Sequence, residues 1–231
     1  MTKKSVMIAV PAYSWAISTG TVRSLFADMM ALRDRGDDVT LFDESGSTDL
    51  SDARAVMVAK ALDAGVTHLV NVDADVFWQK GALVGLVDSE VDMVGAAYPR
   101  RLDPISWPVR FLGEGHEPSS DVPPPGQLME VAGAPGGFIR YTRACLEQMV
   151  EAYPDLQYRS AAFHSPLTGL FDPIRVNGGK LTEDNSFAHR WRAIGGKVWL
   201  NPWVKMGHIG PKAFIGCLGD WLNGRQQTTA A

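Results

Sequence analysis

Residues 67–78 read Thr-His-Leu-Val-Asn-Val-Asp-Ala-Asp-Val-Phe-Trp. Thr67–Val72 is an apolar run of strand length, rich in β-branched residues, and it leads straight into two carboxylates, Asp73 and Asp75. Such a run reads as a buried strand. In open α/β sheets ligands sit in the crevice beyond the carboxyl ends of the strands. Two acids at that end offer hard oxygen ligands to Mg²⁺ or Mn²⁺, and through the metal to a diphosphate. An Asp-rich turn is equally ordinary at a strand end, so the neighbouring sequence has to decide between the two readings.

Upstream, Ser5–Val10 (SVMIAV) reads as a buried strand stopped by Pro11. Val22, Leu25, Phe26, Met29 and Leu32 recur at helical spacing, with Gly36 as terminator. Asp38–Asp43 is a second strand, and Leu50, Met57, Ala61 and Leu62 mark a second helix ended by Gly65. Downstream, a short helix over Gly81–Val87 leads to a strand over Val91–Ala97. This alternation predicts an α/β domain with a mixed, mostly parallel central sheet.

Beyond Pro99 the pattern changes. Pro104, Pro108, Pro118, Pro123, Pro124 and Pro125 crowd residues 100–127, which predicts a functional loop or lid. Leu128–Val131 and Phe138–Tyr141 read as paired strands around a glycine-rich bend, followed by a helix from Arg143 to about Ala152. Thr182 caps a further helix carrying Phe187, Trp191 and Ile194, and Lys197–Leu200 is the last strand. The domain spans 1–223, a nucleotide-binding half (1–99) and an acceptor or lid half (100–223), with a polar, frayed tail over 224–231.

With 45% hydrophobic residues the 231-residue chain buries a real core, so disorder is excluded. Twenty-two basic against 26 acidic side chains give −4, against a nonspecific polyanion binder. No apolar run approaches the roughly 20 residues of a bilayer span, and the start lacks a signal-peptide pattern. Two cysteines, Cys145 and Cys217, make no framework, which suits a reducing cytoplasm.

The motifs VMIAVPAY (6–13), SDARAVMVAKAL (51–62), LVNVDADVFW (69–78), VDMVGAAYPR (91–100), GAPGGFIRYTR (133–143), LTEDNSFAHRWRAIGGKVWL (181–200) and MGHIG (206–210) come in an order that resembles the GT-A fold glycosyltransferases. The similarity is to the compact family-two-like enzymes of bacterial and phage genomes, and it covers roughly residues 5–212. It implies a nucleotide-sugar donor (UDP-sugar favoured), Mn²⁺ or Mg²⁺, and an acceptor on a glycan, protein or modified DNA base. By the same resemblance, Pro11, Ala12 and Tyr13 lie against base and ribose, and Asp43 accepts hydrogen bonds from them. Arg54 faces the donor phosphates, although Ala55 stands where the family has Asn. Asp75 binds the metal, Asp73 holds ribose or joins the metal shell beside Ala74, and His208 completes the metal set. Lys212 screens the leaving diphosphate, and Gly136 and Gly137 admit the sugar. Asp184 is the general base, with Glu183 as second choice. Trp107, Trp191 and Trp203 are candidate stacking planes, Trp191 the weakest because its periodicity is that of a core residue.

Two other readings remain at this level. A haloacid-dehalogenase-like phosphatase also uses Asp-x-Asp, but on the first strand and with Thr or Val where this chain has Phe77. A nucleotide-sugar- or carbohydrate-binding module could keep the fold without turnover. A dinucleotide-binding oxidoreductase needs G-x-G-x-x-G in the first turn, which is absent.

Overall fold

The structure, a computed structural model, describes residues 3–113, 118, 122–160 and 163–229, with the backbone alone for 225–229. The first half runs β1 (Ser5–Ala12), α1 (Thr19–Asp34), β2 (Asp38–Ser45), α2 (Leu50–Asp63), β3 (His68–Val72), β4 (Val76–Trp78), α3 (Ala82–Asp88) and β5 (Met93–Gly95). Next come β6 (Met129–Val131), β7 (Phe138–Thr142) and α4 (Arg143–Ala152). Two hairpin-like pairs of two-residue strands follow, β8 (Gln157–Tyr158) with β9 (Leu167–Thr168) and β10 (Arg175–Val176) with β11 (Gly179–Lys180). The chain ends with α5 (Glu183–Ala193), β12 (Val198–Leu200), β13 (Lys205–Ile209), β14 (Ala213–Cys217) and α6 (Leu218–Thr229).

Seven strands form the main sheet in the order β2-β1-β3-β7-β5-β12-β6. β1 is parallel to β2 and β3, and β5 to β12, while β7 and β6 run against their neighbours. Five of the seven strands thus point one way, the mixed sheet that the alternation predicts. Side chains of β1 alternate between two cores. Val6, Ile8 and Val10 meet Leu25 and Leu32 of α1 and Leu83 and Leu86 of α3. Met7 and Ala9 share the other core with Met57 and Val58 of α2, Leu146 of α4 and Phe187 of α5. Burial on both faces is why the strand is apolar throughout; each fully buried Val or Ile contributes about 1.5–3 kcal/mol.

Pro11 does not stop β1: it sits opposite Glu44 and the ladder continues to Ala12–Ser45, because proline withholds only one donor. Leu128–Val131 and Phe138–Tyr141 do not pair with each other. β7 inserts between β3 and β5, where its wholly buried Phe138, Ile139 and Tyr141 need a central position, and β6 goes to the far edge beside β12. Nor is Lys197–Leu200 the last strand: β13 and β14 join β4 in a separate antiparallel sheet, order β14-β13-β4. Short, glycine-broken runs such as MGHIG carry too little periodicity to announce it. The backbone stays helical to Thr229, past the expected fraying point at Gly224.

Of the expected lid, residues 114–117 and 119–121 lie outside the described residues. Trp107, Val109 and Phe111 are buried, and Arg110 forms a backbone bridge with Gly133. One exposed excursion runs over 100–106, closed by Arg100 N donating to Ser106 O at 2.8 Å, and residues 112–113 and 124–127 are exposed as well. Among the described residues no helix is long and apolar enough to cross a membrane.

Candidate active site

The site is built from α1. Its inward face carries Thr21, Ser24 and Asp28, while Val22 and Phe26, expected inside, are exposed. These inward polar groups hold the chain that leaves Asp75. The Thr21 hydroxyl is shared between the carbonyls of Ala74 and Val76, at 3.0 and 2.7 Å, and Ser24 bonds both backbone groups of Trp78. Asp28, fully buried, accepts from Trp78 Nε1 (3.0 Å), Gly81 N (2.6 Å) and Leu83 N (3.0 Å), which tethers the start of α3. β4 is thereby fixed, and β13 pairs against it with His208 opposite Val76. Ile209 N donates to Asp75 O at 2.8 Å.

His208 and Asp75 therefore meet, with Nε2 3.4 Å from Oδ1. His208 Nδ1 lies 3.0 Å from Pro99 O. A carbonyl only accepts, so Nδ1 carries the hydrogen and Nε2 is the ring atom that faces the carboxylate. A proton on Nε2 joins the two groups directly, and without that proton a cation can take its place between them. A carboxylate oxygen plus an imidazole whose other N–H is held by a carbonyl is a donor set that fits a divalent cation. The other Asp75 oxygen receives Arg101 Nη1 at 2.8 Å. Burial works to raise the Asp75 carboxyl, but the hydrogen bond and charge of His208, then the charge of Arg101, outweigh it and hold it below the usual range.

Asp73 is placed differently. Its Oδ1 pairs with Arg54 Nη2 at 3.3 Å, and its Oδ2 accepts from the Tyr98 hydroxyl at 3.0 Å. Among the described residues no group of three or more His, Cys, Asp or Glu side chains gathers to hold a metal, so Asp73 stands outside the Asp75–His208 pair. Arg54, expected at the donor phosphates, is 1% exposed and lies between Asp73 and Glu183, whose Oε1 is 3.3 Å from Nη1. Its Nε and Nη1 still lack well-aligned hydrogen-bond acceptors. Gly136 and Gly137 admit these side chains: a Cβ at Gly136 would strike Arg54 Nη1, and one at Gly137 would strike Asp73 Oδ2.

Glu183 and Asp184 open α5 beside this cluster. Asp184 Oδ1 accepts from Asn185 N (2.7 Å), Asn185 Nδ2 (3.2 Å) and the Thr182 hydroxyl. Among the described residues its Oδ2 accepts only from Gly136 N, at 3.1 Å, which leaves that oxygen a lone pair. Burial pushes the Glu183 carboxyl above its ordinary range, against the opposing charge of Arg54.

Two more of the expected residues, Asp43 and Lys212, have other partners. Asp43 is exposed on β2 and accepts from the Ser45 hydroxyl at 2.6 Å. Lys212 is exposed and paired with Asp103 at 2.5 Å. The stacking roles for tryptophan are corrected. Trp107 and Trp191 are buried, Trp191 Nε1 donating to Lys197 O, and Trp203 Nε1 donates to Pro123 O. Open aromatic planes just after Ala12 are Tyr13 and Trp15, 67% and 78% exposed. Trp15 has φ 57° and its ring lies against Gly46; a left-handed non-glycine residue is strain typical of functional turns. Sequence reading missed Trp15, Tyr98 and Arg101. All three lie in or beside motifs already quoted, but nothing in one sequence says that Tyr98 touches Asp73 or that Arg101 touches Asp75.

A separate cavity of about 610 Å³ lies at the opposite strand ends, lined by Lys4, Arg35, Asp37, His68 and Asp88. Lys3 and Glu90 line it as well; Arg35 pairs with Asp37 and Asp88, Lys4 with Asp88 and Lys3 with Asp38, so the lining carries no excess of either charge.

Similar architectures are known. Protein A197 from STIV superposes with a TM-score of 0.54 at 14% identity, over 91% of this chain and 93% of that one. GalNAc-T7, solved with UDP, GalNAc and Mn²⁺, gives 0.51 at 13% identity, over 91% of this chain and 44% of that one. The fold is GT-A-like. This GT-A-like chain spans under half the length of the GalNAc-T7 chain. No protein-family model matches it, and no curated protein matches it in sequence.

Proposed function

We propose that the protein is a glycosyltransferase that moves a sugar from a nucleotide-sugar donor, UDP-sugar first, to an acceptor hydroxyl on a glycan, protein or modified nucleobase. The observation that carries this reading is the approach of His208 Nε2 to Asp75 Oδ1 beyond the sheet's strand ends. Asp75 and His208 would hold Mn²⁺ or Mg²⁺, the other positions falling to phosphate oxygens and water. Such a cation supplies neutralisation of the charge that builds on a leaving diphosphate. The Mn²⁺ and UDP of GalNAc-T7 support this choice of metal and base.

Tyr13 and Trp15 present flat faces for the base at the end of β1. Asp184 Oδ2 takes the acceptor proton as the acceptor oxygen bonds the anomeric carbon; the bond to the diphosphate breaks, and its electron pair leaves with the nucleotide. Thr182 and Asn185 hold the other oxygen and fix the carboxylate's direction. Glu183, turned to Arg54, positions the helix start rather than taking the proton.

Nucleotide release from UDP-sugars in the presence of Mn²⁺ tests the reading. Asp184→Asn is expected to keep UDP binding and lose turnover by about 10²–10⁴-fold. Near-normal turnover moves the base to Glu183. Wild-type protein that binds no nucleotide sugar with either metal ends the proposal.

A further inference from the structure

We propose that Arg101 stands in for the cation on Asp75 and moves to the donor diphosphate when a divalent ion arrives. The inference rests on the reading of Asp75 as a cation ligand. Arg101 Nη1 lies 2.8 Å from Asp75 Oδ2 and 3.4 Å from Ile209 O. Its stem packs on Gly210, where a Cβ would come within 2.8 Å of Arg101 Cδ. The carboxylate thus has two tenants of like charge in prospect, one on each oxygen. A cation between Asp75 Oδ1 and His208 Nε2 repels the guanidinium on Oδ2.

The pair is easily parted. Arg101 is 49% exposed and Asp75 34%, and such half-solvated pairs bind weakly. The 100–106 excursion around Arg101 has little else to hold it, with Leu102 and Ile105 exposed and Asp103 tied to Lys212 at the surface. A released guanidinium is a planar fork matched to phosphate oxygens. Arg101 released from Asp75 would share the diphosphate-screening role with Lys212, which is itself held only by a surface pair with Asp103.

The test is binding, without turnover: calorimetric titration of Mn²⁺ alone, then of UDP at saturating Mn²⁺, on wild type, Arg101→Ala, Arg101→Lys and Asp75→Asn, each with a thermal melt. Arg101→Ala is expected to bind Mn²⁺ about two- to fivefold tighter, since a competitor is gone. It is expected to bind UDP about tenfold weaker, having lost a charge-assisted contact. Arg101→Lys keeps the competition and falls between the two for UDP. Unchanged Mn²⁺ affinity in Arg101→Ala overturns the inference, and so does an equal weakening of both ligands with a lowered melt, the mark of packing on Gly210 alone. If wild type binds both ligands and Asp75→Asn loses them while Arg101→Ala changes neither, Arg101 alone is misassigned. If wild type binds neither, the reading of Asp75 falls and takes this one with it.

Discussion

Asp73 and Asp75 leave the same strand two positions apart and enter opposite surroundings. Asp73 turns inward, both oxygens engaged by Arg54 and Tyr98, with Gly137 pressed against it. Asp75 faces the His208 imidazole and a half-solvated arginine. Both carboxylates are partly exposed, 24% and 34%, but Asp73 answers the buried charge of Arg54, which needs permanent partners and makes the pair part of the frame. Asp75 answers a half-exposed arginine, an exchangeable partner that leaves it free to bind. The acidic pair thus divides into a fixed member and a working member.

The sharpest way to break this contrast is to neutralise each in turn. Asp75→Asn is expected to lower Mn²⁺-supported UDP affinity by more than about 100-fold, since even groups behind a metal ligand are worth 10–100-fold. Its stability should fall by less than about 1 kcal/mol. Asp73→Asn should do the reverse: urea unfolding is expected to show a loss of about 2–3 kcal/mol, because Arg54 stays buried with only Glu183 to face. The folded variant should keep its Mn²⁺ affinity. If the two variants exchange these phenotypes, the division is wrong.

Smaller changes sharpen it. Tyr98→Phe removes one hydrogen bond to the fixed carboxylate and is expected to cost about 1 kcal/mol, read in the same urea titration. The smallest effect concerns Glu183, whose carboxyl burial raises. An acid with a raised folded pKa contributes stability present below its unfolded pKa and lost as pH rises through the folded value. Wild type should therefore lose stability relative to Glu183→Gln as pH climbs from the ordinary glutamate range toward neutrality. A gain instead would show that Arg54's attraction outweighs burial and that Glu183 belongs with Asp73 in the frame.

How far the sequence was readable varied with the physics. The strands β1 and β3 were plain because burial on both faces demands an unbroken apolar run. The acids of 73–75 and 183–184 were found from their places at a strand end and a helix start. The α1 face was misread: Val22 and Phe26 satisfy helical spacing, yet Thr21, Ser24 and Asp28 point inward because they bind the backbone of 74–83. Hydropathy cannot show that a helix packs on strand carbonyls and amides rather than on side chains. The three tryptophans failed likewise, since an aromatic residue looks the same in sequence whether it fills a core or faces a crevice.

Local chemistry was thus legible in the chain: an α/β alternation, an acidic strand end, an acidic helix start (where Thr182 turns its hydroxyl to Asp184 instead of capping the helix) and a glycine-flanked histidine. Which of these groups touch was settled by long-range pairing. β13 lies against β4, and so His208 meets Asp75 across more than 130 residues of chain. β7 threads between β3 and β5, and so the glycines at 136 and 137 close over Arg54 and Asp73. Periodicity reports the environment of each side chain one turn or one rung at a time. The partners of a charge are chosen by register between distant strands, a property of the folded whole.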